Sequence, residues 1–151
     1  MKKNCFAMLL MMMSSGCATN QLTALQRRQL QSRELQGTFE NAYKANLQVL
    51  QDYGYVIKNS DYQSGVIQGE TGVKKDKNYF WNALMINSEV TATLEQFGPN
   101  TVKERLSLVN KWTRAYYGSD AKSEIVTDPE LFQRIYDDIQ KEIFVRENLN
   151  K

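Results

Sequence analysis

Histidine is absent from this 151-residue sequence, and its absence excludes several common enzyme chemistries. The chain has no Ser-His-Asp triad and no imidazole general base. Most zinc sites are excluded too, because zinc is usually held by imidazole or thiolate ligands. Carboxylates, lysines and tyrosines remain, but their spacing in the sequence is not typical of an active site. We therefore predict a protein that is not an enzyme and that needs no metal or other cofactor.

Cysteine is nearly absent, since the chain has only Cys5 and Cys17. Cys5 lies within an N-terminal segment that is typical of a cleaved signal peptide, and Cys17 lies directly after that segment. No other thiol remains to form a disulfide or to act as a nucleophile. The fold must therefore be stable without disulfide bonds.

A long hydrophobic run is also missing from the N-terminus. The apolar run there, residues 6–13, is far shorter than the ~20 residues that span a bilayer as a helix. It follows Lys2 and Lys3 and precedes Ser14-Ser15-Gly16-Cys17, which completes the three parts of a secretory signal peptide. Because the small residues end at a cysteine, the segment resembles the lipobox of bacterial lipoproteins. In that class the cysteine thiol receives a diacylglycerol group, and the amine that cleavage frees is acylated with a fatty acid such as palmitate.

The lipobox resemblance implies a location for the protein. Residues 1–16 would be removed as a lipoprotein signal peptide, and Cys17 would become the lipidated first residue. Ala18, not aspartate, follows the cysteine, which in Gram-negative lipoproteins implies sorting to the outer membrane with the protein facing the periplasm. A cysteine with more than one acyl chain is attached stably. A plain signal peptide or an uncleaved anchor remains the alternative.

An excess of charge of either sign is missing from the expected mature chain. The full sequence has 19 basic and 17 acidic side chains, but Lys2 and Lys3 would leave with the signal peptide. The remaining charges balance. Nucleic-acid binding needs a surplus of Lys and Arg that neutralises phosphates. We therefore expect no nucleic-acid partner.

A polar segment separates Cys17 from the first periodic pattern. Residues 17–29 are predicted to be the lipidated cysteine and a flexible tether, and residues 30–151 a single domain. The alternative for the tether is a helix that faces a partner or lipid headgroups. That helix would present Leu22, Leu25, Leu30 and the Arg27-Arg28 pair.

Two segments have the three-and-four spacing of apolar residues that is typical of amphipathic helices. The first covers roughly residues 39–53, with Thr38 as its N-cap and Gly54 at its end. The second begins at Thr127-Asp128-Pro129-Glu130, where a threonine and a glutamate match the spacing of a capping box. Its predicted buried stripe consists of Leu131, Phe132, Ile135, Tyr136, Ile139, Ile143 and Phe144.

Strand patterns lie before and between these helices. A first strand is expected between Arg28 and Gln36, and residues 55–58 and 65–71 predict a hairpin. From Leu84 to Trp112, apolar residues occupy even positions and polar residues mostly odd ones, with a break at Gly98-Pro99-Asn100. The sequence therefore predicts two long strands that form a second hairpin.

A turn centred on Pro99 predicts the register of this long hairpin, because paired residues are then equally distant from the turn. The apolar pairs would lie on one face and the charged pair on the other. Glu104 is the exception, since it falls on the apolar face, and we expect its side chain to reach water near the turn. The predicted pairs are Ala92 with Leu106, Val90 with Leu108, and Glu95 with Lys103.

Aromatic residues lie in two predicted loops, residues 72–82 and 115–126. Aromatic side chains are enriched at the centres of protein interfaces, so these residues are the candidate partner-binding sites. The alternative is that they pack on the core of the domain. The candidates are Tyr79, Phe80, Trp81, Tyr116 and Tyr117.

Taken in order, these elements predict an α+β fold: a two-layer arrangement in which an antiparallel sheet carries two helices packed on one face. The residues that carry a family resemblance are the lipobox, the run from Ala42 to Gly69 and the segment Asp128-Pro129-Glu130-Leu131-Phe132. Together they resemble the small repeated domain of the outer-membrane lipoprotein NlpB/BamC and related lipoproteins. The resemblance implies a helix-grip type of fold and no catalytic residues. It also implies an accessory role in the machine that inserts β-barrel proteins into the outer membrane.

The leading hypothesis from the sequence is a non-enzymatic outer-membrane lipoprotein. It would act as an accessory or scaffold that binds an envelope protein complex, with outer-membrane protein assembly as one candidate process. The alternative is a carrier of a lipid or another apolar ligand, in a pocket between the sheet and the C-terminal helix. Such a pocket would be lined by residues such as Leu108, Trp112, Ile135 and Ile139.

Overall fold

The computed structural model of the chain describes residues 22–75, 84–114 and 121–149. Within these ranges the chain forms three helices and seven strands. In chain order they are α1 (Ala24–Leu30), β1 (Ser32–Gln36), α2 (Phe39–Asp52), β2 (Tyr55–Asp61), β3 (Val66–Thr71), β4 (Lys74–Lys75), β5 (Leu84–Gly98), β6 (Thr101–Arg114), β7 (Ala121–Ile125) and α3 (Pro129–Leu149).

All seven strands belong to one antiparallel sheet with the order β1-β6-β5-β3-β2. The two long strands, β5 and β6, form its centre. Each is longer than its neighbours, so each pairs with two short strands along its free edge. β1 and β7 both pair with β6, while β3 and β4 both pair with β5.

The predicted register of the long hairpin is confirmed. Ala92 pairs with Leu106, Val90 with Leu108, and Glu95 with Lys103. Even-numbered residues of β5 and β6 therefore share one face, which we call the inner face, and odd-numbered residues share the outer face. A slip of one residue would turn the whole apolar set toward water, which is why the alternation fixes the pairing.

Helices α2 and α3 cover the inner face, which confirms the predicted two-layer α+β fold. Within the described ranges, eighteen apolar residues from the helices and the sheet form one buried core cluster, and α2 and α3 contact each other in this layer. Thr38 caps α2 by accepting a hydrogen bond from the backbone N–H of Asn41, and Gly54 follows the helix with a φ of 87°. Both ends of α2 are thus as the sequence predicts.

The start of α3 differs from the predicted capping box. The Asp128 carboxylate accepts hydrogen bonds from the backbone N–H groups of Glu130 and Leu131, at 3.0 and 3.3 Å. Asp128, not Thr127, therefore caps the helix, and Pro129 occupies the first helical position. Either residue type is a good N-cap, so the sequence pattern alone did not distinguish two adjacent candidates.

The end of the predicted α3 stripe is also wrong. Ile143 is completely buried, whereas the adjacent Phe144 is 67% exposed. Earlier in α3 two neighbours, Ile135 and Tyr136, are both buried, but near the end of the helix only Ile143 of the adjacent pair still contacts the core. Phe144 lies beyond the edge of the buried stripe.

Two short strands occur where the sequence predicts loops. All five residues of β7 are exposed, and β4 consists of only two residues. Strands of this kind join the sheet through backbone hydrogen bonds and carry no alternating apolar pattern, so the sequence gives no signal for them.

Helix α1 replaces part of the predicted flexible tether. Thr23 and Gln26 form a capping box at its start, and Leu30 packs against the core. Residues 24–30 are therefore helical, as in the alternative, but Leu30 contacts the core of this domain. Gln31 fixes the end of α1, because its carbonyl accepts hydrogen bonds from the Leu106 N–H at 2.8 Å and from the Tyr136 hydroxyl at 2.6 Å.

Candidate functional site

The residues predicted to be functional lie outside the described ranges. They are Cys17, Tyr79, Phe80, Trp81, Tyr116 and Tyr117. The strands that lead into and out of the two aromatic segments are described, however. Their pairing gives the place in the sheet where each aromatic segment begins and ends.

The ends of four strands lie together at one end of the sheet. Leu84, which begins β5, pairs with Arg114, which ends β6. Lys75, which ends β4, pairs with Met85, and Ala121, which begins β7, pairs with the residue before Arg114. Residues 76–83 and 115–120 are therefore both attached to this end, which we call the distal end.

The inner face changes character toward the distal end. Val90 and Leu108, which pair on the inner face, are 1% exposed. The inner-face residues that lie nearer to the distal end, including the paired Ile86 and Trp112, are half-buried. The Ser88 hydroxyl lies 2.6 Å from the Asn110 side-chain oxygen and donates a hydrogen bond to it. The closed core thus ends near Leu108, and a mixed apolar and polar surface begins.

A cleft of about 350 Å³ lies beside this surface, between β6, β7 and the start of α3. Trp112 forms one part of its wall, and Asn110, Glu124 and Asp128 add polar groups. The hydrogen bond from the Val126 N–H to the Leu108 carbonyl, 2.9 Å long, holds the segment between β7 and α3 against β6. A half-buried aromatic residue with polar groups around it is a common composition for a protein contact.

Three of the four residues proposed to line an apolar pocket lie in the buried core, and the fourth does not. Leu108, Ile135 and Ile139 are at most 1% exposed and belong to the packed core. Trp112 lies apart from them at the distal end of β6. The three core residues contact other buried side chains of the core cluster and do not line an accessible surface.

The expectation that Glu104 reaches water is wrong, because its side chain is completely buried on the inner face. Asn46 of α2, also completely buried, donates a hydrogen bond to Glu104 Oε2 at 3.3 Å and another to the Ala42 carbonyl at 3.0 Å. Among the described residues, Glu104 Oε1 and Asn46 Oδ1 have no hydrogen-bond partner. Burial raises the pKa of Glu104 to about 8, so the side chain is a neutral acid at neutral pH.

Tyr136 is also strongly perturbed, and its pKa is raised by burial and by the neighbouring Glu104. Perturbed pKa values often mark active sites. Here, however, Glu104 and Asn46 are both completely buried beneath the helices, so a substrate cannot contact them. We interpret this cluster as structural.

Residues 22–75, 84–114 and 121–149 contain no group of three or more acidic or cysteine side chains arranged to hold a metal ion. No helix in these ranges has both the length and the apolar character needed to cross a bilayer.

Comparisons with known proteins found similarity at the level of solved structures. No protein-family model matches the chain, and no curated protein sequence is significantly similar to it. One similar structure is a DUF4468 family protein from Bacteroides ovatus, with a TM-score of 0.42 and 13% identity over 74% of this chain and 84% of the other. Another is a TBP-like protein from Parabacteroides distasonis, with a TM-score of 0.33 and 15% identity over 78% of this chain and 85% of the other.

Proposed function

We propose that this protein is a non-enzymatic lipoprotein of the outer membrane, facing the periplasm, that binds an envelope protein through the distal end of its sheet. The observation that carries the proposal is the convergence of strand ends there. Lys75, Leu84, Arg114 and Ala121 lie in adjacent positions, so the two aromatic segments are attached to the same end of the sheet. Aromatic residues from both segments would then contribute to one docking surface.

The inner-face residues at the distal end support this proposal. Ile86 and Trp112 are half-buried although their strands belong to the most extensively paired part of the sheet. Asn110 and Ser88 add a polar border. An apolar centre with polar groups at its rim is the usual anatomy of a specific protein interface.

Membrane attachment is the second part of the proposal and rests on the sequence. A signal peptide over residues 1–16 and a lipidated Cys17 would hold the domain at the membrane surface. The resemblance to NlpB/BamC makes β-barrel assembly the process to test first.

Crosslinking in living cells tests the docking surface. A photo-reactive residue is placed at Trp81 or at Tyr117 in the full-length, lipidated protein, and the attached protein is identified. Gln48, which is exposed on α2, is the matched control position. We expect the same envelope protein at both distal positions and no crosslink to it from the control. Crosslinks to that protein from Gln48 alone would contradict the proposal.

Metabolic labelling tests the anchor separately. A clickable palmitate analogue should label the wild-type protein, and Cys17→Ser should abolish the label. A wild-type protein that is exported without the label would contradict the lipoprotein assignment, whatever the crosslinking shows.

A further inference from the structure

A second surface lies on the outer face of the sheet, away from the core and away from both long helices. It is a groove of about 540 Å³ between the last turn of α1 and strands β1, β5 and β6. Arg28 and Gln29 of α1 form one side. The strands supply Ser32, Thr93, Glu95, Lys103 and Arg105.

The sheet register explains how these side chains come together. Arg105 is paired with Ser32 on one side and with Thr93 on the other, so two hydroxyl-bearing residues flank its strand position. Lys103 lies two residues away on the same face, between Glu95 of β5 and Glu34 of β1. Because Gln31 is 3% exposed and hydrogen-bonded to β6, the end of α1 that carries Arg28 is fixed beside the groove.

The groove is positively charged in a domain whose expected mature charge is balanced. Three of its lining side chains, Arg28, Lys103 and Arg105, are basic and one, Glu95, is acidic, while Glu34 of β1 borders Lys103. Five ion pairs are found among residues 22–75, 84–114 and 121–149, and none includes any of these three basic residues. Their charge is therefore available to an external anion. Two guanidinium groups beside hydroxyl groups suit a phosphate, because arginine binds phosphate oxygens in a bidentate manner.

Chain length places this groove close to the proposed lipid anchor. Leu22, the first described residue, is five residues after Cys17, which is about 17 Å of fully extended chain. The extended chain up to Thr23 and the first turn of α1 together put Arg28 within about 30 Å of Cys17. The tether is thus short enough to keep Arg28 near the membrane and long enough to let it reach the surface, where charged side chains interact with anionic lipid within about one Debye length.

We propose that the groove of Arg28, Lys103 and Arg105 binds the phosphate of an anionic phospholipid headgroup in the membrane that holds the lipidated Cys17. This inference rests on the proposed lipid anchor. It gives the domain an orientation, with the outer face of the sheet toward the bilayer. Helices α2 and α3 then face the periplasm, and the distal end is free to contact a partner alongside the membrane.

The test uses full-length, lipidated protein in vesicles of phosphatidylethanolamine and phosphatidylglycerol. The lipidated mature chain has no free thiol, so one introduced cysteine takes a fluorophore at a single position. Gln29→Cys places the fluorophore at the groove, and Gln48→Cys places it on exposed α2 as a control. The vesicles contain a lipid with a quencher on its headgroup. We expect strong quenching at position 29, weak quenching at position 48, and loss of the difference in high salt.

Charge reversal shows whether the groove is responsible. The double variant Arg28→Glu/Arg105→Glu should lose the extra quenching at position 29. Arg134→Glu/Lys122→Glu makes the same change of charge at exposed positions outside the groove and should retain it. Circular dichroism of each variant confirms folding.

Three results would overturn the inference while leaving the docking function intact. They are equal quenching at both positions, quenching that survives reversal of the groove charges, and equal quenching in vesicles of phosphatidylcholine alone. Mass spectrometry of the purified protein shows separately whether Cys17 is lipidated, which is the premise of this inference. A Cys17 without acyl groups would refute the anchor and this inference together.

Discussion

The buried acid on the inner face predicts an unusual dependence of stability on pH. The pKa of Glu104 is about 8 in the folded protein, against an ordinary value of 4.5. At pH values between these two pKa values, Glu104 keeps its proton in the folded state and has lost it in the unfolded state. The free energy of unfolding should therefore fall as pH rises, by about 1.4 kcal/mol for each pH unit. The stability contributed by the neutral acid is complete below about pH 4.5 and is lost by about pH 8.

The substitution Glu104→Gln isolates this effect. Glutamine has nearly the same shape, accepts a hydrogen bond from the Asn46 amide and does not ionise. Its amide N–H groups also supply a donor near Asn46 Oδ1, which has no partner among the described residues. At pH 7 the wild type has lost about 3 kcal/mol relative to low pH, so the variant should be more stable there by up to that amount. At pH 5 the two proteins should differ by less than about 1 kcal/mol.

The assay is urea unfolding of the mature chain with Cys17→Ser, followed by circular dichroism at pH 5, 6, 7 and 8. Glu95→Gln is the matched control, because it removes an exposed carboxylate from the outer face of the same hairpin. The stability difference between wild type and Glu104→Gln should widen with each pH unit, and the control should not reproduce this widening. Parallel pH curves for wild type and Glu104→Gln would refute the reasoning.

Two further substitutions, each with a matched control, test the backbone at Gly65 and the cap of α3. Gly65 has a φ of 69°, and a Cβ there would lie 2.2 Å from the Leu94 carbonyl oxygen, so Gly65→Ala should destabilise the protein by at least about 2 kcal/mol. Gly72→Ala, at an open position, should change stability by less than about 0.5 kcal/mol in the same urea assay. Asp128→Ala should cost about 1 kcal/mol through loss of the α3 cap, and Thr127→Ala should cost clearly less. Equal losses at residues 127 and 128 would contradict the assigned cap.

Periodic patterns were sufficient for the parts of the fold that depend on local spacing. The alternation across β5 and β6 fixed both strands, and the turn at Pro99 fixed their register, because the side-chain period of a strand leaves only one pairing that buries the apolar set. The limits of α2 were predicted for a similar reason. Thr38 and Gly54 are residue types whose preferred backbone conformations begin and end a helix.

Features without a clear local pattern were missed or, for α1, given only as an alternative. The exposed β7 joins the sheet only because the free edge of β6 is available to it. The seven residues of α1 are too few to be stable as an isolated helix, so its formation depends on contacts with β1 and the core. The position of Glu104 on the apolar face was visible in the sequence, but its burial depends on α2 covering that end of the hairpin with Asn46.

Some candidate sites were predicted from the sequence, and one was found only in the structure. Cys17 and the aromatic residues Tyr79, Phe80, Trp81, Tyr116 and Tyr117 are predictions of the sequence, and the pairing of β4, β5, β6 and β7 adds that both aromatic segments begin and end at one edge. The basic groove had no signal in the sequence. Arg28 is separated from Arg105 by most of the domain, and antiparallel pairing of β1 with β6 brings α1 beside β6.

The sequence by itself determined the two-layer α+β class, the helix α2, the register of the long hairpin and the expectation of an exported, lipidated protein. Each of these follows from residues that are near one another in the chain, where period, caps and turn chemistry act directly. The tertiary structure alone decided the order of the strands, the burial and neutral state of Glu104, the position of α1 and the basic groove on the outer face. These depend on contacts between distant segments, whose free energy comes from packing and burial after the chain has closed on itself.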